Sequence, residues 1–307
     1  MTADTNGDDG RRCGLVAVVG RPNAGKSTLI NTILGEPLQI VTSMPQTTRN
    51  RVLAVHIAGP AQIVFLDTPG IHDPRHALGS YMVEVASRAI SEADLSLWIV
   101  DAARAARDGF PGDEDRGIST RLSEAGSPVL VLINKIDLLR DKRRLLPLIA
   151  ALGELGPAAE VFPISARDGE GLDPVLEETI RRLPRSPWLF PEEMVSDRAE
   201  RFFVEEIIRA AVIELTRQEV PHRCAVVVDR FVEESERCVI DASIRVEKTS
   251  QRGIVIGRGG RLIREIGSRS RAVLQERLGC PVELRLHVEV DPNWTDRRDR
   301  MREAGYE

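Results

Sequence analysis

Aromatic side chains are scarce, 4% of the chain, and the only cysteines, Cys13, Cys224, Cys238 and Cys280, are scattered without a C-x-x-C spacing. That scatter lacks the spacing of a thiolate metal knuckle, and the cysteines read as small buried apolar residues of a reducing compartment. The five histidines show no ligand spacing either, so no metal site is read from them. No apolar run approaches the roughly 18 residues that a membrane-crossing helix needs. A basic excess is lacking as well: the net charge is −5, so any nucleic-acid contact has to come from a local patch. No internal repeat or low-complexity segment is visible. The first twelve residues, MTADTNGDDGRR, are polar and lack the apolar core of a signal peptide, so residues 1–12 read as a disordered tail on a cytoplasmic protein. What is present is a chain of 307 residues, 42% hydrophobic with mixed charges, which suits a soluble protein of about two domains.

Residues 14–31 read GLVAVVGRPNAGKSTLIN. The apolar run 15–19, bounded by glycine, has the form of a buried strand. Gly20-Arg21-Pro22-Asn23-Ala24-Gly25-Lys26-Ser27 fits G-x-x-x-x-G-K-[ST], and Thr28, Leu29, Ile30 and Ile33 open a helix with an apolar face. Strand, glycine loop and helix form the context in which this motif cradles phosphates. Gly20 and Gly25 let the backbone turn tightly and aim its N–H groups inward. The helix start adds unsatisfied donors and the positive end of its dipole. Lys26 supplies a point charge at the β- and γ-phosphates, and the Ser27 hydroxyl is a ligand for Mg2+.

Apolar periodicity places further strands at 51–57, 62–66, 95–100, 129–133 and 161–164. Helices are expected at 79–92, 114–125, 140–152 (interrupted by Pro147) and 172–183. This alternation predicts a parallel α/β sheet with its ligand at the carboxyl ends of the strands. The polar stretch 35–50 is too long for a simple connector and reads as a functional loop. Residues 184–197, with Pro184, Pro187 and Pro191, break the pattern and read as a proline-stiffened interdomain linker. Ser196 is a candidate N-cap for a helix over 198–216. Strands follow at 224–231 and 238–247. The glycine-rich stretch 253–260 then leads into a helix over 261–278, with a strand at 282–290 and a short helix at 295–303.

Two clusters at strand ends refine the chemistry. Asp67-Thr68-Pro69-Gly70 offers an acid that can hold Mg2+ through water and a glycine N–H for the γ-phosphate. Asn134-Lys135-Ile136-Asp137 selects the base. The Asp137 carboxylate can accept from N1–H and N2–H2 of guanine. Adenine lacks that donor pair, and the unpaired carboxylate would separate GTP from ATP by several kcal/mol. The aliphatic stem of Lys135 can lie along the ring, and Ser165-Ala166 can add a backbone N–H to the guanine oxygen.

GRPNAGKST, the QTTR of residues 46–49, DTPG, NKID and the SAR of 165–167 resemble the five G motifs of translation-factor-class GTPases, in the order and spacing of the Era family. VIGRGG at 255–260 is similar to the VIGxxG signature of KH RNA-binding domains. Trp294, Asp296 and Ala304-Gly305-Tyr306 resemble the family's C-terminal ending. The resemblance implies a P-loop NTPase parallel-sheet G domain at 13–183, followed by a smaller α+β KH (type II) domain at 198–307. It implies a Mg2+-dependent GTPase. Gly20, Arg21, Pro22, Asn23, Ala24, Gly25, Lys26, Ser27 and Thr28 would surround the phosphates together with Thr47, Asp67, Thr68, Pro69 and Gly70. Asn134, Lys135, Asp137, Ser165 and Ala166 would hold guanine. Ser27, Thr48 and Asp67 would form the Mg2+ shell, with Thr47 as the alternative to Thr48. Ile71 stands where other GTPases carry a water-orienting glutamine. The resemblance then makes Asn23 the residue that would hold a rate-stimulating K+, with Lys26 and Thr48 as its catalytic partners. The implied partners are the 3′ end of 16S ribosomal RNA and the 30S subunit during its assembly. The protein is expected to be a monomer with no DNA partner, and to associate peripherally with the inner face of the membrane.

The loop of Ile256, Gly257, Arg258, Gly259, Gly260, Arg261 and Arg264 is the candidate RNA contact, because its glycines let a nucleic-acid backbone approach closely. Residues 245–277 contain nine basic residues and three acids, Glu247, Glu265 and Glu276. On an acidic chain, that is a local phosphate-binding footprint.

Overall fold

The computed structural model describes residues 10–306 apart from 43, 45, 46, 75, 157 and 217–219. Most of the expected tail, Gln46 of QTTR and Glu307 lie outside the described residues. Packing divides the chain into two units. The first comprises Met1–Gln39, Asn50–Asp73 and Met82–Asp197, and the second Ile40–Arg49, Pro74–Tyr81 and Arg198–Glu307. Neither unit is contiguous in sequence.

The first unit holds strands β1 (Arg12–Gly20), β2 (Val52–Ala58), β3 (Ala61–Asp67), β4 (Leu95–Asp101), β5 (Val129–Asn134) and β6 (Ala158–Pro163), ordered β2-β3-β1-β4-β5-β6. β1 begins at Arg12, inside the stretch expected to be tail. All neighbours are parallel except β2 and β3. Only Gly59 and Pro60 separate those two strands, and so short a connection permits only an antiparallel pair. Helices α1 (Lys26–Leu34), α2 (Ala77–Glu92, which belongs to this unit from Met82 on), α3 (Ala102–Asp108), α4 (Asp113–Ala125), α5 (Leu145–Leu155) and α6 (Leu172–Arg182) complete the alternation. Ala86 and Ile90 of α2, Ile118 and Leu122 of α4 and Leu148 and Leu152 of α5 pack with Val19, Trp98 and Val131 of the sheet. Each fully buried aliphatic side chain contributes about 1.5–3 kcal/mol.

Two elements differ from expectation. Helix α3 has no sequence forecast; it is nucleated by Asp101, whose carboxylate accepts from Arg104 N at 3.0 Å. The helix expected from residue 140 starts only at Leu145, so Pro147 falls in its first turn, where the missing N–H has no intrahelical partner to lose.

Residues 184–197 are not a free connector but an edge of the first unit. Cys13 N donates to Pro184 O at 3.2 Å and Val55 N to Val195 O at 2.9 Å. The buried Gln62 side chain accepts from Leu189 N and Phe190 N at 2.9 and 3.1 Å and donates to Phe190 O at 2.8 Å. Ser196 is not an N-cap. Its hydroxyl donates to Leu53 O at 2.7 Å, and the next helix starts three residues beyond Asp197.

The second unit runs α7 (Glu200–Leu215), β7 (Cys224–Glu233), β8 (Cys238–Val246), α8 (Thr249–Ile256), α9 (Arg261–Leu278), β9 (Val282–Val290) and α10 (Arg298–Glu303). Its sheet is ordered β7-β8-β9, with the first pair antiparallel and the second parallel. That is the expected smaller α+β unit. Its core joins Ile208 and Val212 of α7, Val226, Ile240 and Ile244 of the sheet, and Val255, Ile266 and Leu274 of the paired helices. Helix α8 was hidden by Gly253, a residue that reads as loop but lies in the helix interior. Trp294 is fully buried, stacks on Tyr306 with centroids 5.8 Å apart, and donates Nε1–H to Arg223 O at 3.1 Å.

Candidate nucleotide and RNA sites

The phosphate-loop residues lie where β1 passes into α1. Gly25 has φ +105, and a Cβ there would sit 2.2 Å from Asn134 Nδ2; no other residue meets both demands. Lys26 is buried, and its Nζ donates to Gly20 O at 3.3 Å and Arg21 O at 3.2 Å. Burial pushes the Lys26 ammonium down to about 8, against the pull of Asp67. A buried cation whose described acceptors are neutral carbonyls suits an anionic ligand. Ser27 Oγ donates to Asp67 Oδ2 at 2.9 Å. A hydroxyl and a carboxylate so close form a hard-oxygen donor set of the kind that Mg2+ prefers.

DTPG closes on the same loop. A Cβ on Gly70 would meet Pro22 N at 2.6 Å, and Ile71 N donates to Gly20 O at 3.1 Å. Thr68 Oγ1 donates to Val18 O at 2.8 Å, so this side chain fastens β3 to β1. Ile71 is buried in the core, and its side chain has no polar atom with which to orient a water.

Asn134 joins three motifs. Its Nδ2 donates to Ala24 O at 2.8 Å and its Oδ1 accepts from Ala166 N at 2.9 Å. Lys135, at φ +67, stretches its ammonium to Asn23 O at 2.6 Å and Asp101 Oδ2 at 2.7 Å. The Asp137 carboxylate accepts from Ser165 Oγ at 2.9 Å and pairs with Arg167 at 3.1 Å. The backbone N–H groups of Ser165 and Ala166 donate to Glu170 O and to Asn134 Oδ1. The Arg21 side chain turns to Glu114 and Asp115 of α4, which leaves its carbonyl as its contribution to the loop. Sequence reasoning missed Asp101, which steers Lys135, and Thr32, whose hydroxyl donates to Ala166 O at 2.6 Å. An acid at the end of β4, beside the other polar strand ends, was the available signal for Asp101.

In the second unit, Ile256 closes α8 and Gly257 breaks it. Gly257 has φ +70, and a Cβ there would lie 2.7 Å from Leu262 Cβ, so glycine is required for the close helix–helix turn. Gly260 N donates to Gly257 O at 3.1 Å, and Arg264 Nε to Gly260 O at 2.9 Å. Arg258, Gly259 and Arg261 are exposed around this turn.

A family model described as "50S ribosome-binding GTPase" matches residues 15–135, and one described as "KH domain" matches residues 219–295. GTPase Era of Geobacter metallireducens is 44% identical over 301 residues, covering 97% of this chain and 99% of that protein. GTPase Era of Syntrophus aciditrophicus is 43% identical over 297 residues, covering 96% and 95%. The chain belongs to the Era GTPase family. Two solved Era structures, each 39% identical, cover 96% of this chain and 99% of their own. They are a single-substitution variant of Aquifex aeolicus Era bound to GDP.AlF4−, at TM-score 0.90, and an Era complex with MgGDPNP and nucleotides 1506–1542 of 16S ribosomal RNA, at TM-score 0.91.

Within this Era-family chain, Ser27, Asp67, Lys26, Asn134, Lys135 and Asp137 belong to the first unit, and Thr47 and Thr48 to the second. Arg49 beside them is buried there, donating to Cys224 O at 2.7 Å, Pro221 O at 2.9 Å and His222 O at 3.2 Å. Buried Arg209 donates to Thr47 O while paired with Glu206. The basic footprint is also thinner than its count. Arg245 pairs with Glu289 and Glu303, Arg269 with Glu214 and Glu265, and Arg277 with Glu200. Among the described residues, Arg258 and Arg261 have no ion-pair partner. No described helix is long and apolar enough to cross a membrane.

Proposed function

We propose that this chain is a GTP-hydrolysing switch that binds the 3′ end of 16S ribosomal RNA and assists 30S subunit assembly and maturation. The observation that carries the nucleotide half is the double tie of Asn134 to Ala24 and Ala166, which holds base-reading and phosphate-binding motifs at one end of one sheet. The RNA half rests on the Era relative solved with nucleotides 1506–1542 of that RNA, together with the exposed arginines of the turn at 257–260.

In this reading, Asp137, oriented by Ser165, accepts two guanine donors, with Arg167 swinging aside. Asn134 and Lys135 hold guanine with Asp137, while the ties of Asn134 and Thr32 position the loops. Lys26 and the backbone of residues 20–28 neutralise the phosphates. Ser27 and Asp67, with Thr48 or Thr47 from the segment 40–49, would hold Mg2+, which supplies charge to the γ-phosphate oxygens. With Ile71 buried, water attack on the γ-phosphate has no side-chain guide from that position. Asn23 is then the residue for a K+ that offsets transition-state charge. Its amide oxygen is a hard donor, and its backbone is held at φ +61 at the exposed crest of the loop. The chain would act as a cytoplasmic monomer that can rest peripherally on the membrane.

Asp137→Asn tests the base reading. GTP affinity should fall and xanthosine triphosphate affinity rise, because an amide can pair with the xanthine 2-oxo group. GTP affinity unchanged within about twofold, roughly 0.4 kcal/mol, would remove Asp137 from the site. Hydrolysis should run faster in K+ than in Na+ at one ionic strength, and Asn23→Ala should erase the difference. Equal rates in both salts would end the K+ assignment.

A further inference from the structure

Cys238 opens β8, and Cys280 follows the glycine that caps α9. Their sulfurs lie 2.9 Å apart although 42 positions separate them. The backbone sets this approach. Cys238 N donates to Pro281 O at 2.9 Å, and Cys238 registers with Val282 in the parallel β8–β9 pair. Gly279, at φ +66, turns the chain sharply out of α9 towards β8. Cys238 is buried and Cys280 half-buried, so a small oxidant reaches the second sulfur and the first waits behind it. Neither residue has a part in the nucleotide or RNA contacts proposed above.

We propose that Cys238 and Cys280 are a redox modification site, oxidised by hydroperoxides to an intramolecular disulfide that fastens the end of α9 to the start of β8. In the first step Cys280–SH and a hydroperoxide, ROOH, give Cys280–SOH and ROH. In the second, the sulfur of Cys238 displaces the hydroxyl of Cys280–SOH, and the thiol proton leaves with it as water. The hydroperoxide takes up the two electrons released by the pair of thiols. Burial and the adjacent sulfur push the Cys238 thiol up. Cys280, the more exposed sulfur, meets the oxidant first, and the buried Cys238 acts second, as the resolving thiol. The bridge ties the far end of the helix that begins at the glycine turn, and it constrains the unfolded chain by closing a long loop.

The test uses the full chain, reduced, freed of reductant and exposed to hydrogen peroxide. Non-reducing peptide mapping should find one cross-linked pair containing Cys238 and Cys280, lost on adding dithiothreitol, while Cys13 and Cys224 remain thiols in their buried sites. The thermal midpoint should rise on oxidation and return on reduction. Cys280→Ser should give neither the cross-link nor the shift. The wild-type mapping decides the matter even if that variant folds poorly. Sulfinic acid at Cys280 without a bridge, a bridge to another cysteine or another chain, or an unshifted midpoint would each overturn the proposal.

Discussion

Lys26 carries the sharpest residue-scale consequence. Its ammonium is pushed down to about 8 by burial, below its value in an unfolded chain. Between the two, the unfolded chain holds more protons, so this group makes the nucleotide-free protein more stable as pH rises through that window. Its penalty is fully present below about 8. A bound phosphate favours the charged form, so nucleotide binding should take up a proton once pH exceeds about 8, and affinity should then decline. Calorimetric titration of GDP at about pH 8.5 in two buffers of different ionisation enthalpy measures that uptake. Heats that do not depend on the buffer would mean that Lys26 is already charged in the empty loop. The loop itself was legible in the sequence because its work is done by neighbours in the chain: two glycines, a lysine and a serine within eight positions. Asp101 and Thr32 were not, because each acts on a residue far away in sequence.

At the scale of elements, strands and the longer helices followed from apolar periodicity, and errors gathered where one residue type has two uses. Gly253 marks a loop by composition but sits inside α8, where packing of Val255 into the core outweighs a glycine cost of about 1 kcal/mol. Pro184, Pro187 and Pro191 mark a linker, yet Gln62 in β3 binds that segment with three hydrogen bonds. No local pattern reveals that a buried glutamine needs a partner 128 positions on. The glycine turn of the second unit also dictates which variants are informative. Replacing Gly257 would clash with Leu262 and mix folding with binding. Arg258→Glu with Arg261→Glu changes exposed side chains only. This pair should weaken RNA binding and lower the salt slope by about 2, leaving RNA-free GTP hydrolysis intact. An unchanged slope, measured across a salt series, would move the RNA contact elsewhere.

At the scale of the whole molecule, the segment 40–49 carries Thr47 and Thr48, yet its packing partners are those of the second unit. Ordering of such a segment by a γ-phosphate would alter what Arg49 and Arg209 hold. We expect RNA to bind more tightly with a non-hydrolysable GTP analogue than with GDP, by about 5–150-fold, and RNA to tighten GTP by the same factor. Equal RNA affinities at one fixed salt concentration would end the switch reading. The motifs announced both activities, but nothing in them announced this arrangement, since Arg49 and its acceptor Cys224 are 175 positions apart.

Arg49 also bears on how the chain can be dissected. A fragment beginning at residue 198 has the full KH-type order of helices and strands, and on sequence grounds it would be taken as a self-sufficient piece. It would lack the guanidinium that satisfies the carbonyls of Pro221, His222 and Cys224 and lies 5.8 Å from the Tyr306 ring centroid. It would also lose Tyr81, which meets the same ring edge-on at 6.3 Å. Buried carbonyls left without their cation cost about 1–3 kcal/mol each, a large share of what holds a unit of this size folded. The second unit is thus completed by Ile40–Arg49 and Pro74–Tyr81, segments that the ribosome adds long before it reaches residue 198.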